Sequence, residues 1–166
     1  MHVVITILTI MASLKWADWK KWKEYHASML FVAAGGLLYE YIVKKNSLWK
    51  FHSDLLYGHE MTVIVYAIIT MPISIFLFLS HFPEMAIRRF LYILVWSGIY
   101  IAVEWVLLKF DRISYDYGWS LGYSFLFDLI MFSVIALHHF RPVLSYILSI
   151  FIIIFLVIYF KVPFKF

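Results

Sequence analysis

Apolar runs follow one another along this chain with little between them: residues 26–43, 61–81, 90–109, 119–139 and 142–160 are each almost free of charge. A run of about 20 apolar residues matches the ~30 Å hydrocarbon core of a bilayer when it is helical. The runs are continuous rather than alternating. That pattern excludes the inside–outside alternation of a membrane barrel and leaves helices, whose backbone groups are satisfied within each segment. Composition agrees, with 64% hydrophobic and 14% charged residues, against about 45–50% and about 25% in soluble domains. A single small globule could not bury so much apolar surface. The expected fold is all-α: a polytopic membrane helical bundle over 1–166, with five transmembrane helices and a sixth at the amino terminus.

The sixth rests on residues 3–14, twelve apolar residues, or ~18 Å of helix. Extension to Trp19 nearly spans the core if Lys15 snorkels and the tryptophans sit at the interface. The alternative is an interfacial anchor. Residues 16–25, WADWKKWKEY, suit a short helix at headgroup level, with Asp18 as a helix-start residue. Gly35 and Gly36 in the next run would let a neighbouring backbone approach. In 61–81, Pro72 should break one backbone hydrogen bond and bend the helix, while Thr62, Tyr66 and Thr70 share an inward face. The last run, 142–160, has the look of a lipid-facing structural helix.

Several functions are excluded or unsupported. The chain has no cysteine, so it has no disulfide, thiolate nucleophile or cysteine metal site. The net charge of +4 comes from lysines and arginines that flank apolar runs, which argues against nucleic-acid binding and for contact with the bilayer. His52, Asp54, His59 and Glu60 resemble a ligand set, but their spacing is irregular and a polar connection needs no metal. His59–Glu60 lacks the second histidine of a zinc-protease helix, since the position four on is Val63. No metal and no cofactor is predicted. Seven basic residues lie on each side of the expected bundle. The first loop often dominates orientation, which puts 15–25 in the cytoplasm.

The residues that point to function are two acids placed deep in adjacent spans. Glu104 lies in 90–109 and Asp128 in 119–139. An acid at that depth costs about 3 kcal/mol on insertion scales, so it normally faces a partner or a wet cavity. Helical spacing puts Tyr100 one turn from Glu104 and Ser124 one turn from Asp128. The two helices are sequential and should pack antiparallel, which leaves the acids within ~5 Å of one height beneath the aromatic loop 111–119. Two acids together in low dielectric cannot both stay charged, so one is expected to hold its proton and to be a potential general acid. Trp96, Tyr100, Trp105, Trp119, Tyr123, Phe125 and Phe132 stand around them, and aromatic faces attract developing positive charge.

Glu104 and Asp128 are therefore the candidate catalytic pair, and Trp96, Tyr100, Trp119, Tyr123, Ser124 and Phe132 the candidate ligand-binding residues. The expected function is a pocket for a lipid, isoprenoid or other apolar small molecule, with or without acid-catalysed chemistry. One alternative is a structural or accessory subunit, in which the acids only bond a neighbouring helix. Another is a small proton-coupled transporter, for which the chain lacks a visible repeat or paired broken helices.

Short motifs spread over nearly the whole chain carry one resemblance: Asp18–Trp19 with Trp22 and Tyr25, Leu48–Trp49, Phe82–Pro83, Tyr100 with Glu104, Tyr115 to Trp119, Ser124 with Asp128, and Arg141–Pro142. In these the chain resembles an uncharacterised family of small multi-pass membrane proteins from Bacillus-like and clostridial bacteria. The resemblance implies a bacterial cytoplasmic membrane and no particular chemistry. The motifs of tryptophan-rich five-helix sensory proteins and of intramembrane terpene cyclases do not occur.

Overall fold

A computed structural model describes residues 1–43, 47–52 and 58–161. Its helices are α1 (His2–Trp16), α2 (Trp22–Val43), α3 (His59–Val65), α4 (Met71–Ser80), α5 (Ala86–Lys109), α6 (Leu121–Phe140) and α7 (Pro142–Tyr159). A π-turn, Tyr66–Thr70, joins α3 to α4, so His59–Ser80 is one continuous span. Among the described residues, five helices are long and apolar enough to cross a membrane, and α1 is a shorter apolar helix. The chain is a multi-pass helical membrane protein.

α1 does not lie apart from the bundle. His2 Nδ1 is 3.2 Å from Tyr66 Oη, Thr6 Oγ1 is 2.8 Å from Thr70 Oγ1, and the Asp18 N–H donates to Ser80 Oγ at 3.3 Å. Both series of numbers rise together, so α1 runs parallel to the α3–α4 span. The antiparallel α2 connects them. At 15 residues α1 measures ~22 Å, and it accompanies α4 down to the Trp19 ring, 4.9 Å from that of Phe76. The face of Thr62, Tyr66 and Thr70 does look inward, and its partners are His2 and Thr6 of α1.

Pro72 is buried, and the π-turn accommodates it. Met71 N–H bonds to Tyr66 O, five residues back, which rearranges the backbone where proline supplies no donor. Gly36 makes the close approach expected of a small residue. A methyl group there would lie 3.1 Å from Ala67 Cβ in the π-turn, whereas one on Gly35 would meet nothing within 4 Å. The central core forms between α2, α4 and α6 from Val32, Ile75, Phe78, Leu79, Phe132, Ile135 and Ala136.

α7 packs on α6. Ser145 is fully buried and donates to Val134 O of α6 at 3.3 Å. Most other α7 side chains are exposed apolar groups, as a lipid-facing helix requires. Two apolar recesses flank it. One, of about 400 Å³, lies against α6 between Leu129, Ser133, Leu137 and Leu148. The other, of about 320 Å³, lies against α2 between Leu38, Ile42, Ile154 and Ile158.

At one end of the bundle, two segments distant in sequence pair as a small sheet. β1 (Trp49–Phe51) and β2 (Ile113–Tyr115) are antiparallel, with Trp49 opposite Tyr115 and Phe51 opposite Ile113. Three residues of Trp-Lys-Phe and of Ile-Ser-Tyr are too short for a strand pattern to be read from the sequence. Tertiary pairing decides them. This sheet, Leu48 and the Trp119 turn form a cap over the ends of α2, α5 and α6, with Val43, Leu48, Trp119 and Phe160 as its apolar core. The opposite end carries residues 17–21, the α4–α5 turn and Arg141.

Candidate acidic centre under the aromatic cap

Glu104 sits about one turn inside the cap end of α5 and is half-buried. One carboxylate oxygen collects three donors. Trp49 Nε1 donates to Oε1 at 3.0 Å, Tyr115 Oη at 2.6 Å and Ser124 Oγ at 2.5 Å. Ser124 in turn accepts from Trp119 Nε1 at 2.8 Å and from Trp49 Nε1 at 3.3 Å. Both strands of the cap sheet, the Trp119 turn and α6 thus meet on one carboxyl oxygen. The indole rings of Trp49 and Trp119 pack edge to face at 4.4 Å. Tyr115, which lies outside the spans, has its phenol pushed above its ordinary range by burial first and by the Glu104 hydrogen bond second.

Asp128 is different. It follows Ser124 by one turn on the buried stripe Ser124, Asp128, Phe132 and Ile135. It is 6% exposed, lies within electrostatic reach of Glu104, and its Oδ2 is buried with no hydrogen-bond partner. Ser97 Oγ, two turns from Glu104 on the same face of α5, is also buried without a partner. No lysine, arginine or histidine lies within 4 Å of either acid among the described residues; the ion pairs present are Lys50–Asp116 and His59–Glu40. Among the described residues, nothing meets the buried Oδ2 of Asp128 in either form. A carboxylate would need donors, and a neutral acid would need an acceptor for its own proton.

Both acids face the interior on adjacent helices, as their cost in lipid demands. Their expected partners are redistributed. Tyr100 does not bond Glu104. Its hydroxyl bonds Ser74 of α4, and its ring lies edge-on to Phe132 at 4.9 Å. Ser124 serves Glu104 rather than Asp128. Trp96 and Phe132 belong with Tyr100 to the central core, with the Trp96 and Phe132 rings 5.9 Å apart. Trp119 belongs to the cap. The single pocket lining read from the sequence is thus two clusters, with Asp128 at their junction. Tyr123 lies at the rim of the cap: its ring is 5.9 Å from Trp119 and 5.1 Å from Phe160, it is 36% exposed, and it pairs with Tyr159 Oη of α7 at 3.2 Å. Trp105 points outward, with Lys109 Nζ over its ring at 5.2 Å.

Trp49 and Tyr115 are the site residues that sequence reasoning missed. Trp49 stands in a polar connection where no periodicity applies, and the only signal was a tryptophan with no apolar run to serve. The polar set near it separates. His52 pairs with Ser114, His59 accepts from Phe51 N–H and lies 3.6 Å from Glu40, and Asp54 lies outside the described residues. No metal-holding group of three occurs among the described residues. The recesses beside α7 do not touch Glu104 or Asp128.

The chain matches no protein family, no curated protein and no solved structure.

Proposed function

We propose that the seam between α5 and α6 holds the polar end of an apolar small molecule, a lipid or an isoprenoid. In this reading Asp128 is the acid that meets the ligand, and Glu104 is the anchor that fixes the aromatic cap above it. The observation that carries the reading is Asp128 itself: a carboxyl buried in a membrane span with no protein partner costs several kcal/mol unless something else satisfies it. If the molecule is turned over, Asp128 in its acid form would give its proton to an alkene carbon. A C–H bond would form, and the aromatic faces of Tyr100, Phe132 and Trp96 would stabilise the resulting cation. Loss of a neighbouring proton to the Asp128 carboxylate would close the cycle.

The structural or accessory reading draws on a different observation, the triple hydrogen bond at Glu104 Oε1, which binds cap to bundle and needs no ligand. The resemblance to bacterial multi-pass proteins supports the cytoplasmic membrane of a bacterium as its place, with residues 15–25 inside. Native mass spectrometry of the detergent-purified protein tests the ligand reading. A bound apolar species is expected on the wild type and absent from Asp128→Asn. A wild type that carries nothing leaves the structural reading standing.

A further inference from the structure

The end of the bundle opposite the cap carries an excess of positive charge that no ion pair among the described residues answers. Lys15, Lys20, Lys21, Lys23, Arg88, Arg89 and Arg141 lie there, against Asp18, Glu24 and Glu84. The ion pairs among the described residues, Lys50–Asp116 and His59–Glu40, are both at the cap end. Among the described residues of this end, Lys15 lies over the Trp16 ring at 4.9 Å, and Arg89 is held by more than a single ring. Its guanidinium lies 5.6 Å from the Phe82 ring and 5.5 Å from the Phe140 ring. Its Nε donates to Pro83 O at 2.9 Å. That contact uses one of five donors, and the terminal N–H groups form no hydrogen bond among the described residues. A cation in the first turn of a helix is also disfavoured by the backbone dipole, so Arg88 and Arg89 gain nothing from α5 itself.

Aromatic contacts make this region continuous. Phe140 is followed by Arg141 and preceded by His139, whose ring is 5.2 Å from Tyr25. Tyr25 follows Lys20, Lys21 and Lys23 on the first turns of this end. Trp16, Trp19 and Trp22 are exposed beside them, at the depth where amphipathic aromatic rings mark a membrane interface.

We propose that Arg89 is the centre of a binding site for the phosphate of an anionic phospholipid, in the leaflet that meets the α4–α5 turn. The planar guanidinium, held against the Phe82 and Phe140 pair, whose rings are 6.5 Å apart, and by one backbone bond, presents its free donors as a fork that fits phosphate oxygens. Arg88, Arg141 and the lysines supply the surrounding positive field. Unpaired arginines at interfacial depth match a phosphodiester that bears net negative charge. The proposal stands independently of any ligand at Asp128.

The test titrates the detergent-purified full chain with phosphatidylglycerol and, separately, with phosphatidylcholine, and counts retained lipids by native mass spectrometry. Arg89→Gln is expected to weaken phosphatidylglycerol retention about fivefold and to leave phosphatidylcholine unchanged. Arg89→Lys keeps the charge but loses the fork, and should fall between the two; it also serves if the glutamine variant melts early in lipid-free detergent. Unchanged retention in both variants would overturn the proposal. So would equal retention of the two lipids by the wild type. An equal loss per charge in Lys20→Gln and Lys21→Gln would replace the built site with a diffuse basic surface.

Discussion

Trp49 donates its indole N–H to Glu104 at 3.0 Å across 55 residues of sequence. This bond ties a strand outside the membrane spans to a carboxylate inside one. It explains how a polar acid in α5 and a tryptophan in a polar connection are both accommodated. With Tyr115 and Ser124 on the same oxygen, Glu104 is the point where cap and bundle are joined.

Glu104→Gln should therefore be mild in stability, because an amide oxygen still accepts from the three donors. Glu104→Leu should be severe. It strands the Tyr115 and Ser124 hydroxyls, at roughly 1–3 kcal/mol for each donor left buried and unpaired, and leaves Trp49 only its longer bond to Ser124 at 3.3 Å. Thermal melting in detergent checks both, and a Leu variant as stable as wild type would remove the joint.

Asp128→Leu should behave in the opposite way. Asp128 has no partner to strand, so replacing it with an apolar group should leave stability unchanged or raise it by roughly 1 kcal/mol or more. The same change should abolish any bound apolar species. A clear loss of stability in the ligand-free protein would mean that Asp128 has a structural partner after all.

Trp49→Phe keeps the ring packing on Trp119 and Phe127 but removes the donor to Glu104 and Ser124. A loss of about 1–2 kcal/mol is expected. Amide exchange should quicken first at the β1–β2 pairing, before the helices. Uniform quickening across α5 and α6 would argue that the cap and bundle open as one unit.

Stability should also depend on alkaline pH through Tyr115. Its phenol ionises above its ordinary value of 10.0 in the folded protein, so above about that pH the unfolded chain has already lost a proton that the folded one keeps. The contribution is thus fully present below the ordinary tyrosine range and is lost as pH rises beyond it. Tyr115→Phe should flatten that alkaline decline in a melting series, relative to wild type.

Tags that report membrane side should agree at Met1 and Gly58 and disagree with a tag at Glu84. The parallel register of α1 against α3–α4, from His2–Tyr66 to Asp18–Ser80, places Met1 and Gly58 at one end. Agreement between Met1 and Glu84 would mean that α1 does not cross.

The sequence determined the helical membrane class, the five long spans and the inward facing of the two acids. Each of these follows from one property that is local to a segment: apolar length against bilayer thickness, or the cost of a charge in lipid. It also placed Ser124, Asp128 and Phe132 on one stripe, because helical period is fixed. Partner choice was not local. Which donor reaches Glu104, why Tyr100 turns to Ser74, and why Asp128 is left alone depend on which helices become neighbours and how a cap assembles from residues 49–51 and 113–119. Those contacts join positions tens of residues apart, where neither periodicity nor hydropathy carries information. Only the tertiary packing made Glu104 an anchor and left Asp128 as the unsatisfied acid.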